Sequence, residues 1–254
     1  MNNIIYLDNN STTMIDPSVL DEMLPYMKQN FGNASSTEHA FGWNAEEAVN
    51  KSREQIADLI GAHASDIFFT SGATESNNLA IAGTMLSNKT EHQHIITIKT
   101  EHKAVLDVCK SLEKKGVHIT YLNVKNNGIV DLQELENSIK DETYLISVMH
   151  ANNEIGVIQP IDEISNICLK HNIKLHIDAA QSIGKINFNV KKKHISSASI
   201  SGHKIYGPKG IGAIYINPSN RKNIKPILFG GSHENGFRAG TLAVHNIVGM
   251  GKAA

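Results

Sequence analysis

The residues best equipped for chemistry lie in a few short segments, each following an apolar run. Ser71-Gly72-Ala73-Thr74-Glu75 comes directly after Ile67-Phe68-Phe69-Thr70. If a helix opens there, its free backbone N–H groups and the Thr74 hydroxyl stand at the positive end of the helix dipole, a setting that suits a phosphate. An ordinary capped turn uses the same residues. Asp178 closes the run Leu175-His176-Ile177. A carboxylate buried at that point needs a partner. A protonated nitrogen on a bound ring is one candidate, and capping of the next helix is the other reading. Ser201-Gly202-His203-Lys204-Ile205-Tyr206-Gly207-Pro208-Lys209-Gly210 brackets two lysines and a histidine with glycines. A lysine partly withdrawn from water loses its proton more readily and becomes a nucleophile, whereas most lysines are solvated surface charges. Spacing alone does not choose Lys204 over Lys209.

Three further segments carry polar groups without a settled role. Asn152 and Asn153, after Met149-His150-Ala151, either orient a polar ligand or build a turn. His102, after the run Ile95–Ile98, either lays a flat ring against a flat ligand or starts a helix. Gly230-Gly231-Ser232-His233-Glu234-Asn235-Gly236-Phe237-Arg238-Ala239-Gly240-Thr241 is too glycine-rich for regular structure and reads as a functional loop or a sharp turn.

The elements that must position these residues alternate. Asp16-Pro17 caps and opens a helix to about Lys28, and a second helix covers about Trp43 to Ile60. Strands are then expected at Ile67–Thr70, Ile95–Ile98, Val117–Val124, Tyr144–Met149, Ile173–Asp178, Ala198–Ser201 and Ile211–Ile216. Helices are expected from Thr74, His102, Asp131 and Pro160. This alternation predicts an α/β fold with a doubly wound, mostly parallel sheet, in which ligands bind at the carboxyl ends of the strands. The segments above all lie at such ends.

Composition narrows the function classes. The 254 residues are 41% hydrophobic and 19% charged, enough for a real core. Lys+Arg 24 nearly balance Asp+Glu 25, which leaves no basic surplus for nucleic acid. The start MNNIIYLDNNSTT lacks the features of a secretion signal, and no apolar stretch is long enough to span a bilayer, so a cytosolic (cytoplasmic) location and no membrane partner are expected. Cys109 and Cys168 fall in separate helical patterns and are read as structural. His92 and His94 form the one tight histidine pair, in what reads as a polar loop without other ligands, and no metal is expected.

Taken together and in order, Tyr6-Leu7-Asp8-Asn9-Asn10-Ser11-Thr12-Thr13, Ser71–Ser76, Thr100-Glu101-His102, His150–Gly156, Asp178–Ser182, Ser201–Gly210 and Arg238-Ala239-Gly240-Thr241 resemble the NifS/IscS cysteine desulfurases, within the class V aminotransferase group. The similarity runs through essentially the whole chain, with Ser11 a minor departure where relatives often carry Ala. It implies the large domain of pyridoxal-phosphate-dependent transferases, as an N-terminal arm at 1–14 and the cofactor-binding domain at 15–254. It implies pyridoxal 5'-phosphate as cofactor, with Lys204 its covalent anchor, which chooses Lys204 over Lys209. Ala73, Thr74, Ser201 and His203 match the phosphate cradle. Asp178 matches the partner of the pyridine nitrogen, His102 the ring-stacking histidine, and Asn153 and Gln181 cofactor-bonding residues, Gln181 at the phenolic oxygen. Thr241 matches a threonine that reaches the phosphate across a homodimer interface.

The activity so implied removes sulfur from L-cysteine, giving L-alanine and an enzyme persulfide for an iron–sulfur scaffold or for tRNA thiolation. Selenocysteine lyase, another class V aminotransferase, or a non-catalytic dimerisation partner are the alternatives. In the family a loop cysteine and a substrate-binding arginine lie in a small C-terminal domain beyond Arg-Ala-Gly-Thr. Neither is found here, and an apolar helical pattern begins at Val248 and runs to the last residue, so the chain reads as truncated.

Overall fold

A computed structural model describes residues 4–88, 90 and 93–254. Residues 4–16 form neither helix nor strand and lead into α1 (Pro17–Lys28), capped by Asp16, whose carboxylate accepts from the Ser18 N–H at 2.8 Å. There follow α2 (Ala40–Ile60), β1 (Ile67–Thr70), α3 (Ala73–Ser87), β2 (His94–Ile98), α4 (Lys103–Glu113), β3 (His118–Leu122), α5 (Leu132–Asn137), β4 (Thr143–Met149), α6 (Ile161–Lys170), β5 (Lys174–Asp178), β6 (Ser197–Ser201), β7 (Gly212–Ile216) and α7 (Val244–Ala253).

Three boundaries depart from expectation for local reasons. α2 starts ahead of Trp43 because the His39 ring accepts from the Gly42 N–H and caps an earlier turn. β3 stops at Leu122, and Val124 instead bridges to Val130 in a small hairpin. α7 starts at Val244, before the glycines that masked its pattern.

The sheet runs β1-β7-β6-β5-β4-β2-β3. Strands β3, β2, β4, β5 and β6 pair in parallel, and only β7 runs against its two neighbours. The sheet is therefore mostly parallel, as expected. Alternate strand residues feed opposite faces. Ile96, Ile98, Ile146, Val148 and Ile177 join α2, α6 and α7 in one core, while Ile95 and Leu145 meet α3 and α4, and Phe68, Ile214 and Ile216 complete the α3 side. Each such aliphatic side chain taken fully out of water stabilises by ~1.5–3 kcal/mol.

Among the described residues, His94 and His176 are buried within this sheet, and both rings are saturated. His94 hydrogen-bonds Thr143 at 2.7 Å and Thr120 at 2.8 Å, tying β2 to its neighbours. His176 bonds Ser147 at 2.8 Å and Ser199 at 3.0 Å, tying β5 to β4 and β6. His94 thus begins a strand, not a polar loop, and its ring nitrogens are already used; His92 lies outside the described residues. Among the described residues no group of His, Cys, Asp and Glu is arranged to hold a metal ion, and no helix is long and apolar enough to cross a membrane.

Candidate functional site

Strand register fixes where the chemistry gathers. Thr70, the last residue of β1, and Ser201, the last of β6, both stand opposite Gly212 of β7. Met149 stands opposite Asp178 across β4 and β5. The sheet edge so formed carries a cavity of about 810 Å³. Its wall includes Ala73, Thr74, His102, Asn153, Asp178, Gln181, Ser201, His203 and Lys204 of the expected residues. Thr241 is the exception: it is exposed and does not line this cavity.

At one end, β1 turns into α3 at Gly72, with φ 153°, a backbone setting side chains rarely adopt. The turn also crosses Gly212 so closely that a Cβ added there would lie 2.6 Å from the Gly72 Cα. Glycine at both positions brings the start of α3 down onto the sheet edge. The Ala73 and Thr74 N–H groups then open the helix toward the cavity. Glu75 closes the turn, accepting from the Ser71 N–H at 2.7 Å and from Arg238 at 2.9 Å.

At the floor, Asp178 is 6% exposed. It accepts from the Ala180 N–H at 3.0 Å and the Asn77 amide at 2.8 Å. Burial pushes its pKa up, against the pull of those bonds and of His102 and Lys204. Asp178 is thus both a local turn anchor and a buried anion facing the cavity. Behind it lies Glu101, fully buried, accepting from the Met149 N–H at 2.6 Å. Burial first, then the neighbouring Asp178 charge, raise the Glu101 pKa well above the carboxylate range. One oxygen of Glu101 and the Asn77 side-chain oxygen are buried without a hydrogen-bond partner. No sequence pattern marks Asn77 or Glu101 by itself. Glu101 stood in the Thr-Glu-His motif, and Asn77 follows Thr74 by one helical turn, so spacing along a helix opening at Ala73 was the available signal.

Lys204 and Lys209 both line the cavity, but only Lys204 is half-buried. Burial first, then the Lys185 charge, lower its pKa, with Asp8 and Asp178 acting in the opposite sense. Its Nζ donates to the Ser11 carbonyl at 2.7 Å and to the Asn10 carbonyl. Asn10 and Ser11, in the segment before α1, are therefore part of the site, a role their motif does not announce. The arm is held there by Thr13, whose N–H and hydroxyl both donate to the His203 carbonyl at 3.0 Å, and by the Gln181 amide, which donates to the Asn10 carbonyl at 2.8 Å. The His203 ring bonds the Thr12 hydroxyl at 3.0 Å, and burial and the adjacent lysines lower its pKa.

The remaining alternatives divide. Of the two amides after β4, Asn152 builds the turn, taking the Glu154 and Ile155 N–H groups and donating to the Thr100 carbonyl, while Asn153 lines the cavity. His102 does both things at once: it caps α4 by accepting from the Ala104 N–H at 3.1 Å, and it lines the cavity. Within the glycine-rich loop, Glu234 is buried and bridges Arg53 at 2.7 Å in two places while accepting from the Phe69 N–H at 2.6 Å. The cysteines lie elsewhere. Cys109 on α4 and Cys168 on α6 are wholly buried, and burial pushes both thiols up to about 12.

The chain is similar to proteins of known family. The aminotransferase class-V model matches residues 5–254. A cysteine desulfurase IscS of Neisseria meningitidis is 53% identical over 98% of this chain, and the match covers 62% of that protein. One from Rickettsia prowazekii is 54% identical over 98% of this chain and 61% of its own length. The chain thus spans somewhat under two thirds of these curated relatives. Among solved structures, a NifS-like protein superposes with TM-score 0.95 at 42% identity, covering 98% of this chain and 68% of that one. A structure described as SspA in complex with cysteine gives TM-score 0.95 at 42% identity, with 98% and 72% covered.

Proposed function

The chain belongs to the class-V aminotransferase family, and from that premise we propose that it works as a pyridoxal-phosphate-dependent cysteine desulfurase, taking sulfur from L-cysteine and leaving L-alanine. One observation carries the reading: a half-buried lysine, a buried carboxylate and an open helix start meet in one cavity, through strand ends brought together by the sheet. These are the three groups that pyridoxal phosphate asks for. A carboxylate raised by burial, as Asp178 is, gains a counter-cation from a protonated pyridine nitrogen. The glycine-floored start of α3 suits a phosphate, and a lysine of lowered pKa suits a carbonyl partner.

In this proposal Ala73, Thr74, Ser201 and His203 hold the phosphate, His102 stacks on the ring, and Asn153 and Gln181 hydrogen-bond it, Gln181 at the phenolic oxygen. Lys204 would hold the cofactor covalently, and its amine, once displaced by the amino group of the substrate, would move the proton at the substrate Cα. Asp178 keeps the ring nitrogen protonated. The cofactor, when bound, supplies the electron sink for the pair released at that carbon. The carbonyls of Asn10 and Ser11, which line the same cavity, accept from the Lys204 amine and hold it at the cavity wall. We assign residues 1–14 as an arm and 15–254 as the cofactor-binding domain. Thr241 acts in the cavity of a second copy, which its exposure permits, so the chain is a homodimer. A protein thiolate takes the substrate sulfur as a persulfide as the C–S bond breaks, and the sulfur passes on to an iron–sulfur scaffold or the tRNA-thiolating machinery, in the cytoplasm.

The test is covalent. Protein loaded with pyridoxal phosphate, reduced with borohydride and peptide-mapped, should carry the pyridoxyl label on Lys204, and Lys204→Ala should carry none. A label elsewhere, or none in the unaltered chain, refutes the reading. Neither cysteine of these residues is placed to take sulfur, so the 254-residue chain should release little alanine from cysteine. Sustained turnover would overturn that part, and preference for selenocysteine or for an amino-donor pair would redirect the reaction assignment.

A further inference from the structure

Glu75 presents an electrostatic problem. It is the third residue of α3, beside the Gly72–Thr74 turn assigned above to an anion, and its side chain is only 11% exposed. An uncompensated carboxylate at that depth repels any phosphate held at the same helix start. Its compensation arrives from far away in sequence. Arg238 donates from Nε to one Glu75 oxygen at 2.9 Å, and the other oxygen receives the Ser71 N–H at 2.7 Å. Burial alone raises the Glu75 pKa, but the Arg238 and Ser71 hydrogen bonds outweigh it and hold the carboxyl below its ordinary range. The arginine is itself fixed, since its loop is docked on β1 by Glu234, which takes Arg53 and the Phe69 N–H. The loop is thus pinned to the strand before the turn and to the helix after it.

We infer that Arg238 is a positioning residue for cofactor phosphate: it neutralises and orients Glu75, which in turn holds the Ser71–Gly72 backbone in the conformation that opens the α3 N–H groups. This rests on the pyridoxal-phosphate reading and deepens it. The bland alternative is that the Arg238–Glu75 pair only staples the loop, in which case its loss affects every ligand of the cavity alike.

Equilibrium binding of pyridoxal phosphate and of unphosphorylated pyridoxal, followed by absorbance, separates the two. Arg238→Gln should weaken pyridoxal phosphate binding by about tenfold or more while changing pyridoxal by less than about threefold. Adding Glu75→Gln to Arg238→Gln should recover most of the phosphate-dependent loss, because the offending charge is gone. Arg238→Lys, which keeps the charge and serves if the glutamine variant does not fold, should stay within about threefold of the unaltered chain for both ligands. Equal losses for both ligands, no loss for either, no recovery in the double variant, or loss of phosphate selectivity in Arg238→Lys would each overturn the inference. If Arg238→Gln binds pyridoxal phosphate normally while Lys204 still takes the label, only this inference falls. If the unaltered chain binds no pyridoxal phosphate, the functional reading falls with it.

Discussion

At the residue scale, side chains of one type take different work according to what surrounds them. Lys204 and Lys209 share a motif, yet Lys204 alone is half-buried with its amine held by arm carbonyls. Asp178 and Glu101 are neighbouring buried carboxylates, yet Asp178 has two donors and faces the cavity, while Glu101 does not line it and keeps one oxygen buried without a partner. The thiols follow the same logic. A thiolate is the reactive form, and burial that pushes Cys109 and Cys168 up to about 12 suppresses it. Both cysteines should therefore resist a thiol reagent such as Ellman's in native protein near neutral pH and react stoichiometrically in guanidinium. Rapid native labelling of either would contradict their structural assignment.

At the element scale, polar stitches hold the strands in the register that builds the site. His176 is fully buried between Ser147 and Ser199, two residues before Asp178 on the same face of β5, and burial lowers its pKa to about 3 from an ordinary 6.5. Between those values the unfolded chain takes up a proton that the folded chain excludes, so the stability due to the neutral ring is full above about pH 6.5 and is lost as pH falls, by ~1.4 kcal/mol per pH unit. The raised pKa values of Asp178 and Glu101 work in the opposite sense, so the comparison that isolates the histidine is with His176→Gln. Urea unfolding at pH 7.5 and 5.0 should show the variant less stable at the higher pH by ~1–3 kcal/mol, from weakened bonds to the two serines. Its further loss on acidification should be smaller than that of the unaltered chain by ~2 kcal/mol. Parallel losses would mean that His176 titrates normally.

At the scale of the whole molecule, the site is made by pieces distant in sequence. The arm reaches Lys204, and the 230–241 loop reaches β1 and α3. That same loop carries Thr241 to an exposed position outside its own cavity. The exposed apolar side chains Ile4, Ile5 and Leu7 of the arm, each at least 79% exposed, add surface for association. Sedimentation velocity over a rising micromolar range should show a dimer, and Thr241→Ala should weaken pyridoxal phosphate binding only where the dimer is populated. A monomer throughout, with tight cofactor binding, would remove the proposed role of Thr241.

The alternation of elements and the set of residues at strand ends are legible along the chain. Both follow from local rules, the period of apolar residues and the turn chemistry of Gly, Asn and Asp, and most boundaries fall within a residue of those read from the pattern. The chain's motifs, through resemblance, also named nine of the cavity-lining residues, including Lys204. The pairings come from packing: Glu75 with Arg238, Glu234 with Arg53, Asp178 with Asn77, the arm with Lys204, and the crossing of Gly72 over Gly212. These join residues far apart in the chain, and no periodicity encodes them. Their formation depends on strand order and on which groups burial leaves in need of a partner, and both are properties of the packed molecule alone.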